Sequence, residues 1–119
     1  MYDLSNLYKI ARGNSMFIEK MLTLFLAETT IINKLIIDNY KKHAFNEVKT
    51  LAHKLKSNLQ VLGITILKKQ ISIIEEMDVK DFELRGSDNH IHSFCSSLEV
   101  TLNMIQQNEL GKTKNPIKD

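Results

Sequence analysis

Residues 45–63 read Phe45-Asn46-Glu47-Val48-Lys49-Thr50-Leu51-Ala52-His53-Lys54-Leu55-Lys56-Ser57-Asn58-Leu59-Gln60-Val61-Leu62-Gly63. Phe45, Val48, Ala52, Leu55, Leu59 and Leu62 recur at unbroken steps of three and four, the apolar seam of a helix packed along one side. Strand alternation does not match that spacing, and Gly63 interrupts it. The same period returns on both sides. Upstream, Phe17, Met21, Phe25, Ile32 and Leu35 form the core stripe of a helix expected from Ser15, its N-cap, to Tyr40. Before it, Leu4, Leu7 and Ile10 mark a short helix from about Asp3 to Ala11, with Asp3 as N-cap and Gly13-Asn14-Ser15 as the turn. Downstream, Ile64, Leu67, Ile71, Ile74 and Met77 form a fourth stripe. Asp78 to Ser87 is polar and reads as a loop. A last helix from about Asp88 to Asn108 buries Ile91, Phe94, Leu98, Leu102 and Ile105.

His43 and Ala44 are a tight connection, which makes consecutive helices antiparallel neighbours. The expected fold is all-α: an antiparallel four-helix bundle with a short N-terminal helix as a lid. The domain runs over residues 2–108. Residues 109–119, lysine-rich and carrying Pro116, are expected to be a frayed polar tail.

The chain has 119 residues, enough for one domain, and is 43% hydrophobic and 25% charged, as globular chains are. The apolar stretch Met21 to Ile37 is broken by Thr23, Glu28, Thr29, Thr30, Asn33 and Lys34, so no membrane span is expected. Met1 to Leu7 lacks a basic segment ahead of an apolar run, so no secretory leader is expected. A net charge of +2 gives no argument for nucleic acid. One cysteine, Cys95, excludes an internal disulfide and suits a reducing, cytoplasmic setting.

His53 stands on the wrong face of its helix. At 100° per residue it points about 130° from the seam, into solvent. Around it lie Lys49, Thr50, Lys56 and Ser57, then Asn46 and Gln60, and no carboxylate is expected on that patch. From Lys41 to Lys69 there are seven lysines (41, 42, 49, 54, 56, 68, 69) against Glu47; from Gln70 to Glu99 there are seven acids against Lys80 and Arg85. A basic patch around a central imidazole suits a phosphoryl group. The neutral ring nitrogen is the nucleophile, and an unperturbed pKa of about 6.5 leaves it largely free at neutral pH. The lysines stabilise the dianion after transfer.

Ala52-His53-Lys54-Leu55-Lys56-Ser57, followed by Leu62-Gly63, resembles the phosphorylation signature of histidine-containing phosphotransfer (HPt) domains. Tyr2-Asp3-Leu4-Ser5 and Ala11-Arg12-Gly13-Asn14 ahead of Phe17 resemble the amino-terminal part of such modules, which occur at the carboxy-terminal end of hybrid sensor histidine kinases. The likeness spans residues 2 to 108. It implies a four-helix bundle in which His53 is the phosphoacceptor and Lys56 the phosphate-stabilising cation. Position 57 is usually glycine in that family; Ser57 departs from it. The family often places a Glu or Gln on the next helix to take the Nδ1 proton, which implies Glu75 here, with Gln70 or Glu76 if the turn at Gly63 shifts register.

The resemblance further implies a monomeric phosphorelay intermediate that takes a phosphoryl group from a receiver-domain aspartate and passes it to a response regulator. Lys49, Lys54, Ser57 and Gln60 would meet the partner, and Mg²⁺ would belong to the receiver rather than to this chain. The parent protein of such a module can be membrane-anchored, the module itself being cytoplasmic. The alternative is a helical interaction module that binds a response regulator without accepting phosphate. Intrinsic catalysis is not expected: no glycine pair forms a phosphate-cradling loop, no nucleophile–base arrangement is found, and Lys54 stands where sensor-kinase dimerisation helices carry an acid. His92 and Cys95 share a helical face but His90 is displaced, so no metal site is expected.

Overall fold

The computed structural model describes residues 2–111, apart from the side chain of Arg85. All regular structure among them is helical: α1 (Ser5–Ala11), α2 (Ser15–Lys41), α3 (Phe45–Val61), α4 (Lys68–Glu76), α5 (Val79–Glu83) and α6 (Arg85–Ile105), which runs into a π-helical turn, Gln106–Leu110. Helix α2 packs against α3 and α6, α4 also contacts α3 and α6, and α1 packs against α2. Leu22, Ile36, Val48, Leu55, Leu59, Ile71, Ile74, Phe94 and Leu98 meet in one apolar core. Among the described residues no helix is long and apolar enough to cross a membrane.

The ends of these helices follow local chemistry. Asn14, not Ser15, caps α2, its side chain accepting from the Phe17 amide at 3.0 Å. Asp3 sits one residue outside the α1 cap, which is Leu4, and accepts from the Ser5 amide at 2.9 Å. Gly63 follows α3 at φ +65, with the Ile64 amide reaching back to the Leu59 carbonyl at 2.9 Å. Here the N-terminal segment crosses the end of α3 so closely that a Cβ on Gly63 would lie 1.9 Å from the Asp3 carbonyl oxygen.

The α3 seam is buried at all six expected positions. On α2 the core row differs from the expected one. Leu22, Leu26, Thr29, Ile32 and Ile36 face inward, whereas Phe17 and Leu35 are exposed and Met21 and Phe25 only half-buried. Two apolar rows run along this helix, and contact with α3 and α6 selects the second. Ile64 and Leu67 are buried in the turn before α4 rather than within it.

The expected loop at 78–87 contains α5 and the start of α6. Asp78 and Asp81 form a capping box, each side chain accepting the other's amide, at 3.0 and 3.1 Å. Phe82 is thereby folded against Phe45, ring centroids 4.8 Å apart. At the far end, helical structure passes the expected boundary at 108. Leu110 is buried, and the Tyr2 hydroxyl donates to Glu109 at 2.6 Å. Burial and that carboxylate together push the Tyr2 hydroxyl above its ordinary value. The remainder of the expected tail, residues 112–119, lies outside the described residues.

Candidate functional site around His53

The α3 seam turns Ala52 and Leu55 into the core and so turns His53 outward; its side chain is 75% exposed. In α4, Ile71 and Ile74 are the core residues, which aims the next position, Glu75, at α3. The result is a hydrogen bond between His53 Nδ1 and Glu75 Oε2. The other carboxylate oxygen, Oε1, lies 3.4 Å from Lys56 Nζ. One carboxylate therefore holds both the imidazole and the nearest cation.

Glu75 is held below the usual carboxylate range, first by the hydrogen bond from His53 and then by the charge of Lys56, against an opposing desolvation effect. An ionised carboxylate only accepts hydrogen bonds, so Nδ1 carries the ring proton. In the neutral imidazole this leaves the lone pair on Nε2.

On the other flank of α3, Lys54 Nζ lies 3.4 Å from Glu28 Oε2 of α2. Glu28 is fixed from below: the buried Asn58 donates through Nδ2 to Glu28 Oε1 at 2.9 Å and to Thr29 Oγ1 at 3.1 Å. The Asn58 bond is the chief reason that the Glu28 carboxyl is lowered, with Lys54 adding to it.

The structure therefore brings together His53, Lys56 and Glu75. Glu75 reaches the ring; Glu76 is exposed, and the Gln70 carbonyl oxygen instead lies 3.5 Å from His90 Nε2. Lys49 is half-buried and Ser57 exposed on the same helix. Gln60 is exposed, and its carbonyl accepts from Asn6 Nδ2 at 3.3 Å. Lys54 is directed toward α2. The expected patch of cations with no carboxylate is corrected: α3 is flanked by Glu28 and Glu75, which neutralise Lys54 and Lys56 in part. Neither acid lies on α3, so the pattern of that helix alone does not show them. Glu28 and Asn58 were missed; their only signals were an acid breaking the apolar run 21–37 and an amide bordering the α3 seam.

The three residues considered for a metal go separate ways. His92 Nε2 lies 3.6 Å from Asp88 Oδ1, His90 approaches Gln70, and Cys95 is buried with its thiol toward the Asn33 carbonyl oxygen. Among the described residues no group of three His, Cys, Asp or Glu is placed to hold a metal ion. His43 occupies a left-handed position at the end of α2, φ 63, and its ring stacks on Phe45 at 5.4 Å. No family model, curated protein or solved structure matches the chain.

Proposed function

We propose that the chain is a phosphocarrier of the HPt type, its α2, α3, α4 and α6 forming an antiparallel four-helix bundle with α1 as a lid. The observation that carries this reading is the exposed His53 ring, whose Nδ1 is bonded to an ionised Glu75. The Nε2 lone pair attacks the phosphorus of an aspartyl phosphate in a receiver domain. The phosphorus–oxygen bond to the aspartate breaks, the aspartate leaves as carboxylate, and a phosphorus–nitrogen bond forms. Attack by the aspartate of a second receiver reverses these steps. Glu75 stabilises the positive ring that forms, and Lys56 transfers part of its attraction from Glu75 to the new phosphoryl oxygens. Mg²⁺ belongs to the receiver and supplies charge neutralisation there. The module works as a cytoplasmic monomer within a larger sensor kinase and has no kinase activity of its own.

Incubation with phosphorylated receiver domains tests this. Wild-type chain should acquire acid-labile, alkali-stable label, and His53→Gln should acquire none while keeping its helical signal and melting temperature. Receiver binding that survives His53→Ala, with no label on the wild type, would replace this reading with that of a binding module that accepts no phosphate.

A further inference from the structure

The neighbours of His53 on α3 divide into two flanks. At 100° per residue Lys56 lies about 60° to one side of the ring and Ser57 about 40° to the other, each one turn further along the helix. Glu75 engages both His53 and Lys56, so the Lys56 flank is the one that faces α4. The two nitrogens of an imidazole sit on opposite edges of the ring. With Nδ1 held by Glu75, Nε2 is turned away from α4, toward the outer flank that carries Ser57.

Within one turn of His53 the outer flank offers three side-chain donors, Thr50, Lys54 and Ser57, and two of them are committed. The Thr50 hydroxyl donates to the Asn46 carbonyl oxygen at 3.1 Å, and Lys54 Nζ is drawn to Glu28 Oε2 at 3.4 Å. Ser57 is exposed, and among the described residues its hydroxyl has no hydrogen-bond partner. It does not fold back onto the His53 carbonyl as Thr50 folds back onto that of Asn46. Side chains on a helix lean toward its N-terminus, so Ser57 leans over the turn that holds His53. A phosphoryl group on Nε2 presents three negatively charged oxygens. Lys56 approaches them from the α4 side, where it is shared with Glu75. On the outer side the uncommitted donor is Ser57.

We propose that the Ser57 hydroxyl donates a hydrogen bond to the phosphoryl group carried on His53 Nε2 and prolongs the life of the phosphohistidine. This deepens the phosphoacceptor reading and rests on it for its biological meaning, but its test needs no receiver domain. Loss of the group passes through a loose transition state, in which the outer phosphoryl oxygens give up charge. A donor on those oxygens therefore holds the ground state more strongly than the transition state, and slows the loss.

Phosphoramidate, which transfers its phosphoryl group to exposed imidazoles and releases ammonia, is used to load the full chain. Phosphorus and imidazole-nitrogen NMR then identify phospho-His53 and follow its hydrolysis to inorganic phosphate. In Ser57→Ala hydrolysis should be at least about threefold faster than in wild type. Alanine is the better helix former, so α3 persists and the helical signal is kept. Equal hydrolysis rates overturn the proposal, even where receivers label His53 normally; a Ser57→Ala defect confined to reactions with receivers overturns it too, and leaves Ser57 as a docking contact. Faster hydrolysis in Ser57→Ala from a chain that exchanges no label with receivers supports the Ser57 contact while removing the phosphocarrier reading. Failure of phosphoramidate to load Nε2 of His53 overturns both.

Discussion

Glu75 on α4 accepts a hydrogen bond from Nδ1 of His53 on α3, 22 residues away in sequence. The same carboxylate engages Lys56, so removing it frees the ring and the cation together. In Glu75→Ala the imidazole loses its fixed tautomer, and transfer from a phosphorylated receiver should slow by about tenfold or more. Glu75→Gln keeps an oxygen for Nδ1–H but not the charge, and should fall between the two. Equal labelling rates in all three proteins would remove Glu75 from the mechanism.

The depressed Glu75 carboxyl has a thermodynamic consequence. The folded chain releases this proton at lower pH than the unfolded chain, so the stabilisation is complete above the ordinary value of 4.5 and disappears as pH falls below it. Melting temperatures of wild type and Glu75→Gln should differ most above about pH 5 and converge toward about pH 3. A gap that widens on acidification would contradict the assigned pairing.

Gly63→Ala should be strongly destabilising, by about 2 kcal/mol or more. The added methyl group meets the Asp3 backbone, and the position is left-handed besides. Urea unfolding measures the loss. Hydrogen exchange should show the Asp3 amide, which reaches the Leu62 carbonyl at 3.4 Å, losing protection first.

Two other left-handed residues should behave differently from each other. Arg12 has φ 54 and, among the described residues, no ring contact, so Arg12→Gly should stabilise by about 1 kcal/mol. At His43, φ 63, the relief is similar but the stack on Phe45 is lost, a contact worth about 0.5–1.5 kcal/mol. His43→Gly should therefore be near neutral. Thermal melts of the two variants check the contrast.

Asn58→Ala should cost about 1–3 kcal/mol, because a buried amide that ties Glu28 and Thr29 to α3 is removed. Cys95 offers an independent probe of the same unfolding. Burial pushes its thiol up to about 12, so alkylation by iodoacetamide should be slow in the folded chain and accelerate in step with denaturant unfolding.

Helix α3 was readable because six apolar positions keep one unbroken phase: Phe45, Val48, Ala52, Leu55, Leu59 and Leu62 are all buried, and His53 is left outside. Helix α2 was readable as a helix but not in its rotation. Leucine, isoleucine and phenylalanine occur around much of its circumference, and periodicity cannot choose between rows when tertiary contact makes the choice. Helix α5 was hidden by its polar composition, although Asp78 and Asp81 form a cap that three-residue spacing can reveal. At the site, Glu75 entered through the likeness to a family, while Glu28 and Asn58 are 30 residues apart and meet only after folding. Pairings across helices are set by rotation and register, which no single helical pattern contains.

The carboxylates on either side of α3 also govern its freedom to roll. Glu28 restrains one shoulder of the helix through Asn58 and Lys54, and Glu75 restrains the opposite shoulder through Lys56 and His53. A twist in either sense stretches a polar tie while it drags leucines out of register. The azimuth of the imidazole is thus fixed when the chain folds, and a visiting molecule meets one orientation at every encounter instead of selecting it from many.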